Sequence, residues 1–158
     1  MLEIDLHGLT PHQALENFIA VYNAELLNGS RAEIKVVHGY GSTGEGGKIR
    51  SLLRRYLNQY EPVRVSVFTG ENQDGNPGYT TVLPRDLLPG LDELLTEEIL
   101  HYCQVAKSED KISGKFRDYG ALLIKKTLKR LESEKKLEVA WKGKYKTYQA
   151  TSRSNGYG

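Results

Sequence analysis

The sequence predicts an α/β protein of two modules: a β-α-β-α-β-β two-layer sandwich over residues 1–88 and a small basic α+β module over residues 89–150. In the first half, apolar-polar alternations typical of strands interleave with apolar stripes at helical spacing. Turn-forming Gly, Asn and Pro separate these segments. Positive charge is concentrated in the second half, where residues 111–158 hold 13 Lys and Arg against 4 Asp and Glu. This asymmetry suggests that the second module meets a polyanion.

The first module begins with an alternating strand, residues 4–7, which places Asp5 and His7 on one face. Thr10, Pro11 and Gln13 then form a capping box that begins a helix, and Asn28-Gly29 ends it. The remaining elements are a strand at 33–37, an amphipathic helix at 48–59, a strand at 63–68, a turn-rich segment and a last strand at 79–83. With helices on one sheet face, the open face is expected to present Asp5, His7, Lys35, Arg64 and Ser66.

A glycine-rich segment, HGYGSTGEGG at residues 38–47, joins the second strand to the second helix. Part of it matches G-x-G-x-x-G, but it follows the second strand, and the module is too small for a doubly wound dinucleotide-binding sheet. A Walker loop is excluded because Ile49 follows Lys48 where Ser or Thr is needed. The alternatives left are a plain connection and an anion site made of bare amides, a helix N-terminus, Lys48 and Arg50.

Three short motifs in order, IDLHG at residues 4–8, VHGYG at 37–41 and GNPGYT at 75–80, resemble the Smr domain, the small MutS-related family. The family pattern L-D-x-H-G is met with Ile4 in place of Leu, and Tyr40 stands where relatives often have a basic residue. The resemblance covers residues 2 to about 85. It implies the fold of the C-terminal domain of translation initiation factor 3.

The resemblance also implies an endonuclease that nicks or cuts DNA or RNA, RNA being favoured and ribosome-associated messenger RNA included. By this resemblance Asp5, His7 and His38 are the catalytic candidates, and Gly39, Tyr40 and Gly41 contact nucleic acid. A histidine of pKa about 6.5 can accept a proton from a ribose 2′-hydroxyl, with the carboxylate beside it. No cofactor or metal is expected. A metal-dependent DNA nickase, a non-catalytic RNA-, DNA- or ribosome-binding protein and a nucleotide-cofactor enzyme are the alternatives.

In the second module, a connector at residues 84–95 precedes a helix that Thr96 is expected to cap. A turn-like segment at 108–119, a basic helix at 121–134 and a hairpin at 137–148 follow, an order that looks like a winged helix. Such modules bind nucleic acid or dock proteins, and the charge excess favours nucleic acid. The expected nucleic-acid contacts are Lys125, Lys126, Lys129, Arg130, Lys142 and Lys144, in addition to Arg64 of the first module. Residues 151–158 are expected to form a flexible tail.

Cysteine content and hydropathy indicate the compartment. The single cysteine, Cys103, can build neither a disulfide framework nor a multi-cysteine zinc site. No apolar run approaches the roughly 20 residues that span a bilayer, and the N-terminus has no signal core. A cytoplasmic protein without a membrane partner is expected.

Overall fold

The computed structural model of the chain describes residues 1–39 and 45–151. Tyr40 and Gly41 of the predicted site, and residues 152–158 of the predicted tail, lie outside the described residues. The chain forms two compact units, Met1–Gly90 and a second that begins at Leu91. Each is described below by itself.

Within residues 1–39 and 45–90, the first unit is a four-stranded mixed sheet with three helices. Its elements are β1 (Leu2–Asp5), α1 (Pro11–Leu27), β2 (Ile34–Val37), α2 (Glu45–Asn58), β3 (Val65–Thr69), α3 (Gly70–Asp74) and β4 (Tyr79–Pro84). The strand order is β1-β2-β4-β3, with β1 and β2 parallel and the other neighbours antiparallel. The carboxyl ends of β1, β2 and β3 therefore meet the start of β4 at one edge of the sheet.

The two faces of this sheet differ in burial. Paired strand residues share a face, and one face carries the buried side chains of Ile4, Ile34, Val36, Val65 and Val82. The helices supply further buried apolar side chains, which are Ala14, Leu15, Phe18, Ile19 and Tyr22 of α1 and Ile49, Leu53, Tyr56 and Leu57 of α2. The other face carries the exposed Asp5, the half-buried Lys35 and the exposed Phe68.

Local sequence signals account for α1. The Thr10 hydroxyl accepts from the Gln13 amide and the Gln13 side chain accepts from the Thr10 amide, so the predicted capping box is confirmed. The helix ends at Leu27, and Gly29 has a φ of 88°. Its Tyr22 hydroxyl donates to the carbonyls of Arg64 and Asp86, which fastens the end of β4 to the helix.

The segment between β3 and β4 was expected to be turn-like, and this is wrong, because α3 begins there. Thr69 caps α3 by accepting from the Asn72 amide, and Gly75, with a φ of 84°, ends it. A Cβ on Gly70 would lie 2.0 Å from the Asn76 carbonyl oxygen and 2.8 Å from the Tyr79 ring. The glycine here permits a close approach of two backbones rather than breaking a helix.

Over its described residues, 91–151, the second unit contains three α-helices and a three-stranded sheet. Its elements are α4 (Leu91–Tyr102), β5 (Lys107–Ser108), α5 (Glu109–Lys115), a 3-10 turn (Arg117–Tyr119), α6 (Ala121–Ser133), β6 (Leu137–Lys142) and β7 (Tyr145–Ala150). The antiparallel sheet has the order β5-β7-β6, and the expected hairpin is β6 and β7 around Gly143. A buried cluster that includes Ile99, Ile112, Leu128 and Leu131 forms its core.

Two expectations for this unit are wrong. Thr96 does not cap a helix: it lies within α4, where its hydroxyl donates to the Asp92 carbonyl oxygen. Thr151, placed in the flexible tail, donates its amide to the Lys136 carbonyl oxygen and is nearly buried.

Candidate functional site

The candidate site lies at the sheet edge where β1 and β2 end and β4 begins. Asp5 is opposite Val37, and Val37 is opposite Tyr79, so the three strand ends are neighbours. The Leu6 amide continues the pairing by donating to the Val37 carbonyl oxygen at 2.8 Å. The parallel pairing of their strands thereby brings the IDLHG motif beside Val37, the first residue of the VHGYG motif.

Asp5 and His7 are both exposed at this edge. Asp5 is the last residue of β1, and His7 follows in the turn rather than in the strand as the alternation predicted. The Asp5 carboxylate accepts from the backbone amide of His7 at 2.9 Å. In the part of the chain that the structure describes, the His7 ring makes no hydrogen bond, and the side chain is exposed. The carboxylate is held beside the histidine through its backbone, which fixes their spacing.

His38 does not join this pair. It is in phase with Ile34 and Val36, points to the buried face of the sheet, and is 1% exposed. Its Nδ1 lies 2.7 Å from the Gly39 carbonyl oxygen, which only accepts, so Nδ1 carries the proton. Its Nε2 then accepts from the Thr80 hydroxyl at 2.9 Å. Burial lowers the pKa of His38, so the ring is neutral at neutral pH.

A chain of polar contacts continues from His38 to the surface. The Thr80 hydroxyl accepts from Arg54 Nε at 3.0 Å while donating to His38. Arg54 forms two parallel hydrogen bonds to the Glu71 carboxylate, at 2.8 and 2.7 Å. These bonds lower the pKa of Glu71 to about 2. The four side chains join β2, β4, α2 and α3 beneath the edge that carries Asp5 and His7. We call them the His38 network.

The backbone at Gly39 begins the glycine-rich segment. Its φ of 79° lies in the left-handed region that glycine adopts without strain. The amides of His38 and Gly39 both donate to the Gly78 carbonyl oxygen, at 3.0 and 2.9 Å. The Gly39 amide, one of those expected to receive a phosphate, is therefore already used within the protein. Gly78 of the GNPGYT motif thus holds His38 and Gly39 of the VHGYG motif in place.

The three cations expected near the first site are not all at this edge. Lys48 is exposed and Arg50 is half-buried, both in the first two turns of α2, directly after the glycine-rich segment. Arg64 precedes β3 and lies at the opposite end of the strands, roughly 17 Å away along five residues. Its guanidinium donates to the Leu87 carbonyl oxygen. Arg64 and the Asp5–His7 pair are therefore not brought together.

The cations expected in the second unit are all exposed. Lys125, Lys126 and Lys129 lie on α6, and Lys142 and Lys144 flank the hairpin turn. Arg130, also on α6, is engaged within the protein, because it donates to Glu134 and to the Thr96 hydroxyl. The lysines are thus better placed than the arginine to meet an external anion.

Two features are absent from residues 1–39 and 45–151. These residues hold no group of three His, Cys, Asp or Glu side chains arranged to bind a metal ion. Within the same ranges, no helix has the length and apolar character needed to cross a bilayer.

The sequence reasoning missed three members of the His38 network, which are Arg54, Glu71 and Thr80. One signal was available: the β2 alternation puts His38 in phase with Ile34 and Val36, and a buried histidine needs polar partners. The identity of those partners depends on β4 pairing with β2 across a sequence separation of more than 40 residues. No local pattern contains that information.

Comparison with known proteins gives one family. The Smr domain matches residues 4–85, slightly more than half of the chain. Among solved structures, the Smr domain of Thermus thermophilus MutS2 is similar at 28% identity and a TM-score of 0.44, over 54% of this chain and 99% of that chain. No curated protein matches the sequence.

Proposed function

This chain belongs to the Smr domain family, a family of nuclease-related domains, and from that premise we propose that residues 1–88 form a nucleic-acid endonuclease with RNA as its favoured substrate. The observation that carries the proposal is the exposed Asp5–His7 pair, held by the bond from the His7 amide to the Asp5 carboxylate. The pair stands at the sheet edge from which the glycine-rich segment departs, and the His7 side chain is exposed.

The proposed reaction is an internal phosphoryl transfer. His7 accepts the proton of a ribose 2′-hydroxyl, the 2′ oxygen forms a bond to phosphorus, and the bond from phosphorus to the 5′ oxygen breaks. The 5′ oxygen takes a proton from solvent, and the products are a 2′,3′-cyclic phosphate and a 5′-hydroxyl. The Asp5 carboxylate stabilises the imidazolium that forms. Lys48 and Arg50, at the start of α2, favour the negative charge on the phosphate oxygens.

His38 receives a different role in this proposal. Because the ring is buried and neutral, it is a positioning residue that fixes Gly39 rather than a group that touches substrate. The transfer then relies on one exposed histidine at this edge. Departure of the 5′ oxygen is faster when a second acid protonates it, and the buried His38 does not supply one. The same observation therefore favours a second function, that of a non-catalytic nucleic-acid-binding protein.

The second unit is proposed to hold the nucleic acid as a winged-helix-like module. Support comes from the exposed Lys125, Lys126 and Lys129 on one helix and from Lys142 and Lys144 at the hairpin turn. Each phosphate contact releases a counterion, so affinity should fall steeply as salt rises. Affinities that depend on phosphate contacts normally change strongly between about 50 and 200 mM salt. An affinity for nucleic acid that stays constant over this range would count against phosphate contacts.

The test is incubation of the full chain with end-labelled RNA and DNA of one sequence, with and without EDTA, followed by analysis of the product ends. We expect RNA cleavage that persists in EDTA and leaves cyclic phosphate ends. Replacing the 2′-hydroxyl at the cut site by hydrogen should abolish that cut. EDTA-sensitive nicking of DNA would instead establish the metal-dependent alternative.

Two variants separate a nuclease from a binding protein. We expect His7→Ala to lower the cleavage rate by about 10²- to 10⁴-fold while affinity for RNA is retained, as for loss of a general base. His101→Ala, at an exposed histidine of α4, is the matched control and should cleave normally. If the unaltered protein binds RNA without cutting it, the binding function stands and the nuclease is refuted.

A further inference from the structure

The tip of the hairpin exposes two aromatic rings that its core does not use. Trp141, the single tryptophan of the chain, is 66% exposed, and Tyr145 is 65% exposed. Both residues line a pocket of about 230 Å³ together with Ser108, Glu109, Asp110, Lys144 and Lys146. Because Trp141 pairs with Lys146 and Tyr145 pairs with Lys142, the two aromatic side chains leave opposite faces of the hairpin. Pockets that enclose a drug-sized ligand measure roughly 300–1,000 Å³, so this one suits a single planar ring system.

The charges that line this pocket select among ligands. Glu109 and Asp110 contribute two carboxylates, which repel a phosphate group and accept hydrogen bonds from N–H donors. Lys146 is already paired with Glu132 at 3.2 Å, and its ammonium lies over the Tyr148 ring. Lys144, exposed beside Gly143, is left to meet an anion at the rim. The lining therefore combines an exposed indole ring, two carboxylate acceptors and a lysine that is available to an anion.

We propose that this pocket binds one unstacked base of single-stranded nucleic acid, with the exposed Trp141 ring as the stacking surface. Every base has a π-face on which an indole or phenol stacks, and the bases of a duplex are not accessible in this way. Lys144 meets the adjoining phosphate. The inference rests on the proposed nucleic-acid function and adds to it a base-binding site in the second unit.

The carboxylates add a preference among the bases. The Watson–Crick edge of guanine carries two adjacent donors, N1–H and the 2-amino group, which suit a carboxylate. Uracil presents one donor between two carbonyl oxygens, and those oxygens face like charge. A cationic peptide also suits carboxylates and an aromatic ring, but Lys142, Lys144 and Lys146 around the hairpin tip disfavour it. Guanine is therefore preferred over uracil.

Trp141 provides the direct readout. The full chain is titrated with 2′-O-methyl heptamers, which lack the hydroxyl needed for the proposed cleavage, either all uridine or with one central guanosine. We expect the guanosine heptamer to quench the indole emission and to bind more tightly than the all-uridine heptamer. Trp141→Ala, followed by anisotropy of a labelled heptamer, should weaken binding by about tenfold, a typical loss for one stacked base.

Three further variants separate stacking, base choice and charge. Glu109→Gln with Asp110→Asn should reduce the difference between the two heptamers. Lys142→Ala, which alters a side chain outside the pocket, should weaken both heptamers equally. Val105→Ala, at a 69% exposed apolar side chain of the same unit, should change neither.

The outcomes distinguish this inference from the function on which it rests. If both heptamers bind but leave the indole emission unchanged, and Trp141→Ala binds as tightly as the unaltered chain, the base pocket is refuted and the nuclease proposal is untouched. If the protein neither binds nor cuts any nucleic acid, the proposed function fails. Tighter quenching by an oligoarginine peptide, lost in the Glu109→Gln, Asp110→Asn variant, would overturn the base in favour of a peptide.

Discussion

The His38 network should contribute measurably to the stability of the first unit, and Thr80→Val tests this. Valine keeps the volume and the strand preference of threonine but removes the hydroxyl, which is fully buried between His38 Nε2 and Arg54 Nε. A buried polar atom left without a partner costs about 1–3 kcal/mol. Arg54 keeps its bonds to Glu71, so most of the cost falls on His38.

We therefore expect the free energy of unfolding of the first unit to fall by about 3 kcal/mol, the sum of a full penalty at His38 and a partial one at Arg54. With a urea dependence on the order of 1.5 kcal/mol per molar, the midpoint shifts by roughly 2 M. Urea unfolding followed by circular dichroism measures the change. The emission of Trp141 reports on the second unit.

Thr81→Val is the matched control for this experiment. Thr81 is the next residue of β4, is 3% exposed, and points to the other sheet face. Its hydroxyl makes no hydrogen bond within the described ranges of the chain. If the two substitutions change the free energy of unfolding to within about 0.5 kcal/mol of each other, a typical surface effect, the energetic role assigned to the network is wrong.

Three other predictions concern single positions. Burial lowers the pKa of His38, so as the pH falls this histidine is protonated in the unfolded chain at a higher pH than in the folded chain. The free energy of unfolding should therefore decrease as the pH drops below about 6.5. In His38→Gln, the urea midpoint should lose that part of its pH dependence. Gly70→Ala should lower the free energy of unfolding by about 2 kcal/mol. Gly114→Ala is the control, because a Cβ there meets open space within α5, and it should raise the free energy of unfolding by about 0.5–1 kcal/mol. Equal effects of the two substitutions in thermal melts would contradict the close approach at Gly70. Burial raises the pKa of Cys103 to about 11, so a thiol reagent at pH 8 should label it slowly in the folded protein and promptly in urea; prompt labelling of the folded chain would contradict its burial.

An element of this fold can be predicted from the sequence when the residues that determine it are close together in the chain. The capping box at Thr10 and the hairpin around Gly143 are local, and the sequence predicted both. The helix α3 was missed because Gly70 reads as a breaker. Its glycine instead admits the Asn76 carbonyl, a contact that depends on how the chain folds back.

The same distinction between local and long-range determinants applies to the residues of the candidate site. Asp5 and His7 were predicted to be neighbours from two-residue spacing, and both are exposed at one edge. The assignment of His38 to the same group came from the motif and overlooked the phase of its strand, which directs the ring to the buried face. Strand phase is therefore a necessary check on any residue role taken from a motif.

The hydrogen bonds from His38 and Gly39 to the single carbonyl oxygen of Gly78 tie the first residues of the glycine-rich segment to a rigid strand end. These two hydrogen bonds fix the position of the backbone at Gly39 and the direction in which it leaves β2. Gly78 therefore sets the position of Gly39 relative to the ends of β2 and β4. A substitution that displaced the Gly78 carbonyl oxygen would displace both His38 and Gly39, although Gly78 lies about 40 positions away in the sequence.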